Sequence, residues 1–366
     1  MKRALLIIIC FAWTLGLSGC GTLFSGHRDM EHLRPVQVAG LDADGDGRVT
    51  LSVCTGTGPE SEPPLALRAA APGIEAAADR LQDWSPRDEL FYAHVRYLLL
   101  GEDMAGTGLL QALDWVERSP AMRMETPLLI VRGRADALVE AALGESISAA
   151  ESLGALEREE KVRGREPPTL RQAAAGLAER GWALCLAVEV LPAEGTVLSD
   201  PDAAAIVPAG LALLREGQPP VFLSRSEALG AALLDGSAAG THVPLDGSEA
   251  ELLGGQAKAE GLWTGSSLTG LLLRCELGAG IVERLPEDDR TALADRLAQT
   301  LTDCLTEAVG LSQALGCDFL GLEDAVRASA PDRRAARALD WDAVFPALPV
   351  TVTVEADVGR GYDLVS

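Results

Sequence analysis

Two groups of residues in this sequence have the types and spacing needed for chemistry, and one is a run of aspartates. Asp42, Asp44 and Asp46 alternate with small residues before Gly47, which matches positions 1, 3, 5 and 6 of an EF-hand-type calcium loop. Position 12 would be Val53, which has no carboxylate to close the site. A β-hairpin turn, for which Asp-Gly is the usual chemistry, is the favoured interpretation. The three aspartates therefore remain only a minor alternative as metal ligands, and no metal site is predicted.

The second group is the N-terminal segment that ends at Cys20. Lys2 and Arg3 precede an apolar stretch over residues 4–17, and the sequence LSGC follows. The stretch is shorter than the ~20 residues that span a bilayer and has the length of a cleavable export signal. The small residues before Cys20 admit a peptidase, and its thiol can accept diacylglycerol. We therefore expect a signal peptide over residues 1–19 and lipidation, including palmitate, at Cys20. The alternative is an uncleaved helix with an incidental cysteine.

The composition excludes several classes of partner. The formal net charge of the 366 residues is −23, whereas nucleic-acid binding needs a basic patch. The same charge argues against electrostatic docking on anionic lipids. We therefore expect no nucleic-acid partner and a membrane contact made by the diacylglycerol at Cys20. The five cysteines beyond Cys20 fit neither a zinc site nor a disulfide framework, and they are expected to be buried free thiols.

No motif in the chain predicts catalysis. The sequence contains no HExxH, no GxSxG and no P-loop lysine. The four histidines, His27, His32, His94 and His242, show no metal-binding spacing, and His94 is expected to be a core or half-buried residue. We expect neither catalytic residues nor a cofactor, and no ligand-binding residues are assigned.

Hydrophobic periodicity predicts a mixture of helices and strands. Predicted helices cover Gly73–Trp84, Glu102–Arg118, Arg134–Ala142, Leu170–Arg180 and Ser224–Leu234, and a long helix begins at Pro286. Predicted strands cover Val36–Leu41, Val49–Cys54, Phe91–Leu100, Pro127–Val131, Trp182–Leu191, Ala209–Leu214, Pro220–Leu223, 241–245, 256–263, 268–276 and Val350–Glu355. The fold class is α+β, with mixed or antiparallel sheets packed by helices.

Composition shifts suggest three extracytoplasmic domains. After a tether over residues 20–35, we expect an N-terminal α+β domain over 36–168, a middle domain over 169–236 and a C-terminal α+β domain over 237–366. The first boundary is placed at Glu157–Pro168, a charged segment that reads as a linker, and the second at the Gly/Ala/Ser-rich residues 236–240.

Several ordered blocks, together with the lipobox, resemble the Ger(x)C family, the lipoprotein C subunits of spore germinant (nutrient) receptors. The residues that carry the resemblance are Arg28–Glu31; Val38–Asp42; His94, Leu100–Ala105, Gly108, Leu113–Arg118, Arg123 and Leu129–Ala135; Gly210–Leu213, Glu227, Gly230 and Gly236; and Gln313, Asp318–Leu322, Pro331, Trp341, Phe345-Pro346 and Gly359.

This resemblance implies a non-enzymatic protein of three domains. It would act with integral membrane germinant-receptor subunits in the spore inner membrane, where nutrients trigger germination. The alternative is an extracytoplasmic solute-binding lipoprotein of a transporter, which would need two similar α/β lobes joined by a hinge.

Overall fold

The computed structural model describes residues 32–56, 63–85, 88–119, 122–141, 148–162, 165–192, 204–283 and 290–359. The predicted signal peptide, Cys20 and the tether as far as residue 31 therefore lie outside the described residues, whereas the last three residues of the predicted tether, 33–35, already belong to the first strand. Pro286, at which the long helix was predicted to begin, also lies outside the described residues.

The described residues in the N-terminal two thirds of the chain build one mixed sheet of nine strands. Its strands are β1 (Leu33–Ala43), β2 (Val49–Thr55), β3 (Ala66–Ala71), β4 (Glu89–Phe91), β5 (Tyr97–Gly101), β6 (Leu128–Val131), β7 (Trp182–Pro192), β8 (Ala204–Arg215) and β9 (Gln218–Phe222). The order is β3-β2-β1-β5-β6-β7-β8-β9, with β4 paired to the start of β1. The central strands β1, β5, β6 and β7 run parallel, and the strands on either side of them are antiparallel.

Helices cover both faces of this first sheet. They are α1 (Ile74–Trp84), α2 (Glu102–Thr107), α3 (Leu109–Arg118), α4 (Ala135–Ala141), α5 (Ala149–Val162) and α6 (Leu170–Arg180). Successive side chains of a strand point to opposite faces, so Leu98 and Leu100 join one core with α1, α3 and α6. Tyr97 and Leu99 join the other core with α4 and α5. The apolar run of β5 is thus the pattern of a strand that is buried on both faces.

The C-terminal third forms a second sheet against a long helix. The strands are β10 (His242–Leu245), β11 (Ser248–Thr264), β12 (Ser267–Glu283) and β13 (Val350–Gly359), in that order, with β13 parallel to β12. The helices are α7 (Arg225–Asp235), α8 (Arg290–Ala314), α9 (Leu322–Ala328), α10 (Arg333–Ala338) and α11 (Trp341–Val344). Leu293, Leu297, Leu301 and Leu305 form the buried stripe of α8, as the periodicity predicts.

The α+β class with mixed sheets is confirmed, and several local predictions are corrected. The predicted strand Phe91–Leu100 is interrupted by a 3-10 turn at Tyr92–His94. The predicted helix Glu102–Arg118 is two helices that meet at Gly108, because glycines at 106 and 108 are poor helix formers.

The segment Glu157–Pro168 is not an extended linker. Helix α5 extends into this segment as far as Val162. The strands before and after the segment, β6 and β7, both belong to the first sheet. Strand pairing between β6 and β7 therefore joins the predicted N-terminal and middle domains. The division at residue 236 stays a prediction.

Candidate functional site

The aspartate run forms the turn of the β1–β2 hairpin, so the hairpin interpretation is confirmed. The backbone N–H of Asp44 donates to the carbonyl of Arg48 at 2.8 Å, and Gly47 adopts a left-handed φ of 78° that closes the turn. Asp46 is exposed in this turn and accepts a hydrogen bond from the backbone of Arg48. After the turn, β2 pairs antiparallel with β1, so that β1 lies between β2 and β5 in the sheet.

Asp42 lies one step inside the hairpin and caps a helix that is distant in sequence. Its two carboxylate oxygens accept hydrogen bonds from the backbone N–H groups of Ala135 and Asp136, at 2.8 and 2.9 Å, at the start of α4. Burial raises the pKa of this carboxyl, although the two N–H donors and the Arg134 guanidinium oppose the rise. Gly101 at the end of β5 leaves room for the carboxylate, because a Cβ there would overlap the Asp42 oxygen.

The guanidinium of Arg134 gathers the remaining carboxylates around this helix start. It donates to Asp44 at 3.0 Å and to Asp136 at 2.8 Å. Burial opposes the ionisation of Asp136, but the hydrogen bonds and charge of Arg134 outweigh it and hold the pKa below its usual range. The structure thus brings Asp42 and Asp44 to an arginine and a helix start. Asp46 does not take part, and no three His, Cys, Asp or Glu side chains in the described ranges are grouped to hold a metal ion.

The histidines and cysteines of the described ranges take part in no group of three potential metal ligands. The expectation of a half-buried His94 is wrong, because its ring is exposed on the 3-10 turn and meets Phe91 edge-on at 5.5 Å. The five cysteines beyond Cys20 are free, and four of them are buried as expected. Cys317 is half-buried. Burial raises the pKa of Cys185 to about 12 and that of Cys317 to about 11, so both sulfurs stay as thiols at neutral pH.

Four of the C-terminal residues that carry the family resemblance, Gln313, Asp318, Trp341 and Phe345, form one cluster. The side-chain amide of Gln313 donates to the carbonyl oxygens of Phe345 and Leu348, at 2.9 and 2.8 Å. Asp318 accepts a hydrogen bond from the indole of Trp341 at 3.1 Å, and the Trp341 ring stacks on Phe345 with centroids 4.8 Å apart. Trp341, Phe345 and Leu348 belong to the same buried core as Val309 of α8.

Asp318 also caps a helix. Its carboxylate accepts hydrogen bonds from the backbone N–H groups of Leu322 and Glu323, at 3.0 and 2.8 Å, at the start of α9. Burial raises its pKa against the effect of these donors. Asp42 and Asp318 therefore have the same role, since each carboxylate accepts hydrogen bonds from two backbone N–H groups at the start of a helix.

The resemblance residues near α7 are structural too. Glu227 completes a capping box with Ser224, and Gly236 ends the helix in a left-handed conformation. Gly230 lies where α7 crosses α8, so close that a Cβ would overlap the carbonyl of Cys304 and lie 2.7 Å from Ala308. These motif residues cap helices and allow close packing.

A cleft of about 820 Å³ lies between the first sheet and the C-terminal third. We call it the interface cleft; its polar lining includes Arg132, Glu160, Arg165, Glu189, Arg225 and His242. Sequence reasoning did not identify it, because its walls come from segments that are far apart in the chain. No short-range pattern could have signalled it.

Opposite charges face each other in the interface cleft. Arg132 lies 4.0 Å from Glu189 and stacks on the ring of Phe222 at 4.6 Å. Ser226 donates a hydrogen bond to the sulfur of Cys304, and burial raises the pKa of that thiol. The cleft can hold polar groups of either charge, but its cysteine is not an activated nucleophile.

Comparison with known families matches both ends of the described fold. Residues 26–188 match the family described as "Spore germination protein N-terminal domain". Residues 273–361 match "Spore germination B3/ GerAC like, C-terminal". The chain belongs to the Ger(x)C family of germinant-receptor C subunits.

A solved structure has a similar fold. The crystal structure of the GerBC protein superposes with a TM-score of 0.53 at 16% sequence identity, covering 87% of this chain and 96% of that one. A search of curated proteins gave no match. The Ger(x)C fold therefore extends through the region between the two matched family domains.

Proposed function

We propose that this Ger(x)C protein is a non-enzymatic lipoprotein subunit of a spore germinant receptor. Diacylglycerol on Cys20 holds it at the extracytoplasmic face of the spore inner membrane, and it acts there with integral membrane subunits in nutrient-triggered germination. The observation that carries the proposal is the match of both the N-terminal and the C-terminal domain of the family.

The placement of the motif residues supports a role without catalysis. Asp42, Gly101, Glu227, Gly230 and Asp318 cap helices or permit close packing. In the described part of the chain, no helix is both long and apolar enough to cross a bilayer. Attachment through a lipid at Cys20 is compatible with that observation.

The transporter alternative receives less support. A solute-binding protein of that class is built from two similar lobes, whereas the two sheets formed by the described residues have nine and four strands in different orders. The interface cleft between them is open and is lined by paired charges.

Deletion of the gene in a sporulating host tests the proposal, with the genes of receptor paralogues also removed. We expect spores to form in normal yield and to lose germination in response to nutrients. Restoring the gene should restore the response. Nutrient germination at the normal rate in the deletion strain would refute the proposal.

A further inference from the structure

Trp84 is unusually exposed for a large apolar side chain. It is the last residue of α1, and 79% of its surface is accessible. The other tryptophans in the described ranges, Trp115, Trp182, Trp263 and Trp341, are buried or half-buried. A single exposed apolar residue is ordinary, so its significance depends on its position.

The topology places Trp84 beside the beginning of β1. Strand β3 is antiparallel to β2, and β2 is antiparallel to β1. Strands β1 and β3 therefore run in the same direction and start at the same end of the sheet. Helix α1 follows β3 and packs against it, so that the chain returns towards the end of the sheet at which β1 and β3 start. The last turn of α1 is tied there, because Gln82 donates to the carbonyl of Asp88, and Asp88 pairs with Arg34 of β1 at 3.1 Å.

Further apolar residues are exposed at the same end of the sheet, where β1 and β3 start. Pro63, Pro64 and Leu65 are exposed immediately before β3. The guanidinium of Arg34 donates to the carbonyl of Pro63 at 3.3 Å, which holds this segment next to the beginning of β1. We call Pro63, Pro64, Leu65 and Trp84 the anchor-side patch.

The length of the N-terminal segment connects this patch to the predicted lipid. Eleven residues lie between Cys20 and His32, the first described residue, and the twelve Cα–Cα steps between them reach at most about 40 Å. The β1–β2 turn lies at the far end of β1, an eleven-residue strand, and so about 35 Å from the point where the chain enters β1. A lipid on Cys20 therefore leaves the anchor-side patch within easy reach of the bilayer, whereas the turn could reach the bilayer only with the N-terminal segment almost fully extended.

We propose that the anchor-side patch rests on the lipid surface, with the indole of Trp84 in the headgroup region. The proposal rests on the proposed lipid anchor at Cys20. Tryptophan prefers the interface between lipid and water, since its ring is apolar and its N–H can still bond to water or headgroups.

The chemistry of the patch suits an acidic protein. Contact through Trp84 and Leu65 does not depend on attraction between charges, which the net charge of −23 would oppose. Because the lipid makes the second contact intramolecular, a weak insertion is enough to orient the protein.

Tryptophan fluorescence of the full-length lipidated chain on phosphatidylcholine vesicles tests the proposal. Some vesicles carry a nitroxide quencher in the headgroup region, and co-sedimentation measures attachment separately. We expect quenching in the wild-type protein and its loss in Trp84→Phe, with attachment unchanged. Trp263→Phe, which removes a half-buried indole of β11, is the control and should keep the quenching.

Each outcome has a distinct meaning. An attached protein whose quenching is absent, or is equal in Trp84→Phe and the wild type, would overturn the orientation while leaving the anchor intact. A lipidated chain that does not sediment with vesicles would overturn both the anchor and the orientation. Shielding of Trp84 only in membranes that contain the integral receptor subunits would assign the patch to a protein partner and also overturn the proposal.

Discussion

The carboxylate of Asp42 caps the helix that begins at Ala135, a residue 93 positions later in the chain, through a hydrogen bond of 2.8 Å. A second hydrogen bond, to the N–H of Asp136, uses the other carboxylate oxygen. One side chain at the end of β1 thus satisfies two N–H groups at the start of α4 and ties that helix to the sheet.

Replacing Asp42 by alanine should therefore destabilise the fold. Two buried N–H groups would lose their acceptor, at a cost of about 1–3 kcal/mol in the free energy of unfolding. Urea denaturation of the chain without its lipid measures the change. Asp46→Ala, in the exposed turn of the same hairpin, is the matched control and should change stability little. Equal losses in the two variants would contradict the capping role.

The crossing of α7 and α8 yields a second prediction. Because a Cβ on Gly230 would overlap the backbone of α8, Gly230→Ala should destabilise the protein by about 1–3 kcal/mol. Gly310→Ala, on the exposed side of α8 with open space around it, should be neutral or stabilising by up to about 1 kcal/mol. Thermal unfolding compares the pair, and a tolerated alanine at position 230 would refute the close crossing.

The buried carboxyl of Asp318 predicts a dependence of stability on pH. Because burial raises its pKa above the ordinary value of 3.8, the folded protein binds this proton more tightly than the unfolded chain does. Its contribution to stability should therefore increase as the pH falls through the raised pKa towards 3.8 and decrease as the pH rises again.

Asp318→Asn isolates this contribution. The variant should be less stable at every pH, because asparagine cannot accept all three hydrogen bonds made by the carboxylate. The difference in unfolding free energy between the wild type and the variant should widen on acidification. A difference that narrows as the pH falls would show that hydrogen bonding outweighs burial at this site.

Cys20 should determine where the protein resides. Two acyl chains give stable attachment, at about 0.8 kcal/mol per buried CH₂, whereas the acidic body has no electrostatic affinity for anionic lipids. Cys20→Ala should therefore move the protein from the membrane fraction to the soluble fraction, as measured by fractionation and immunoblotting. Retention of a correctly processed variant in the membrane fraction would refute lipid anchoring.

Much of the local structure could be predicted from sequence, because its signals are short-range. The alternation of Val350, Val352 and Val354 predicts β13, the leucines spaced by four predict α8, and the helix predicted over Ser224–Leu234 is α7. The linker at Glu157–Pro168 was mispredicted, since charged residues suit both a linker and the exposed face of a helix. Apolar contacts between α5 and the first sheet stabilise the helical conformation, and such contacts are not visible in the sequence.

The α+β class, most elements, the β1–β2 turn and the family resemblance can all be recognised from the order of the amino acids. These depend on residue types at close spacing along the chain. The roles of the motif residues become visible only in the folded chain. Asp42 caps α4, Asp318 accepts a hydrogen bond from Trp341, and Gly230 lets α8 pack closely against α7. The tertiary structure also places Trp84 beside the start of β1 and forms the interface cleft. Such relationships depend on how distant strands pair and helices cross, which no local pattern encodes.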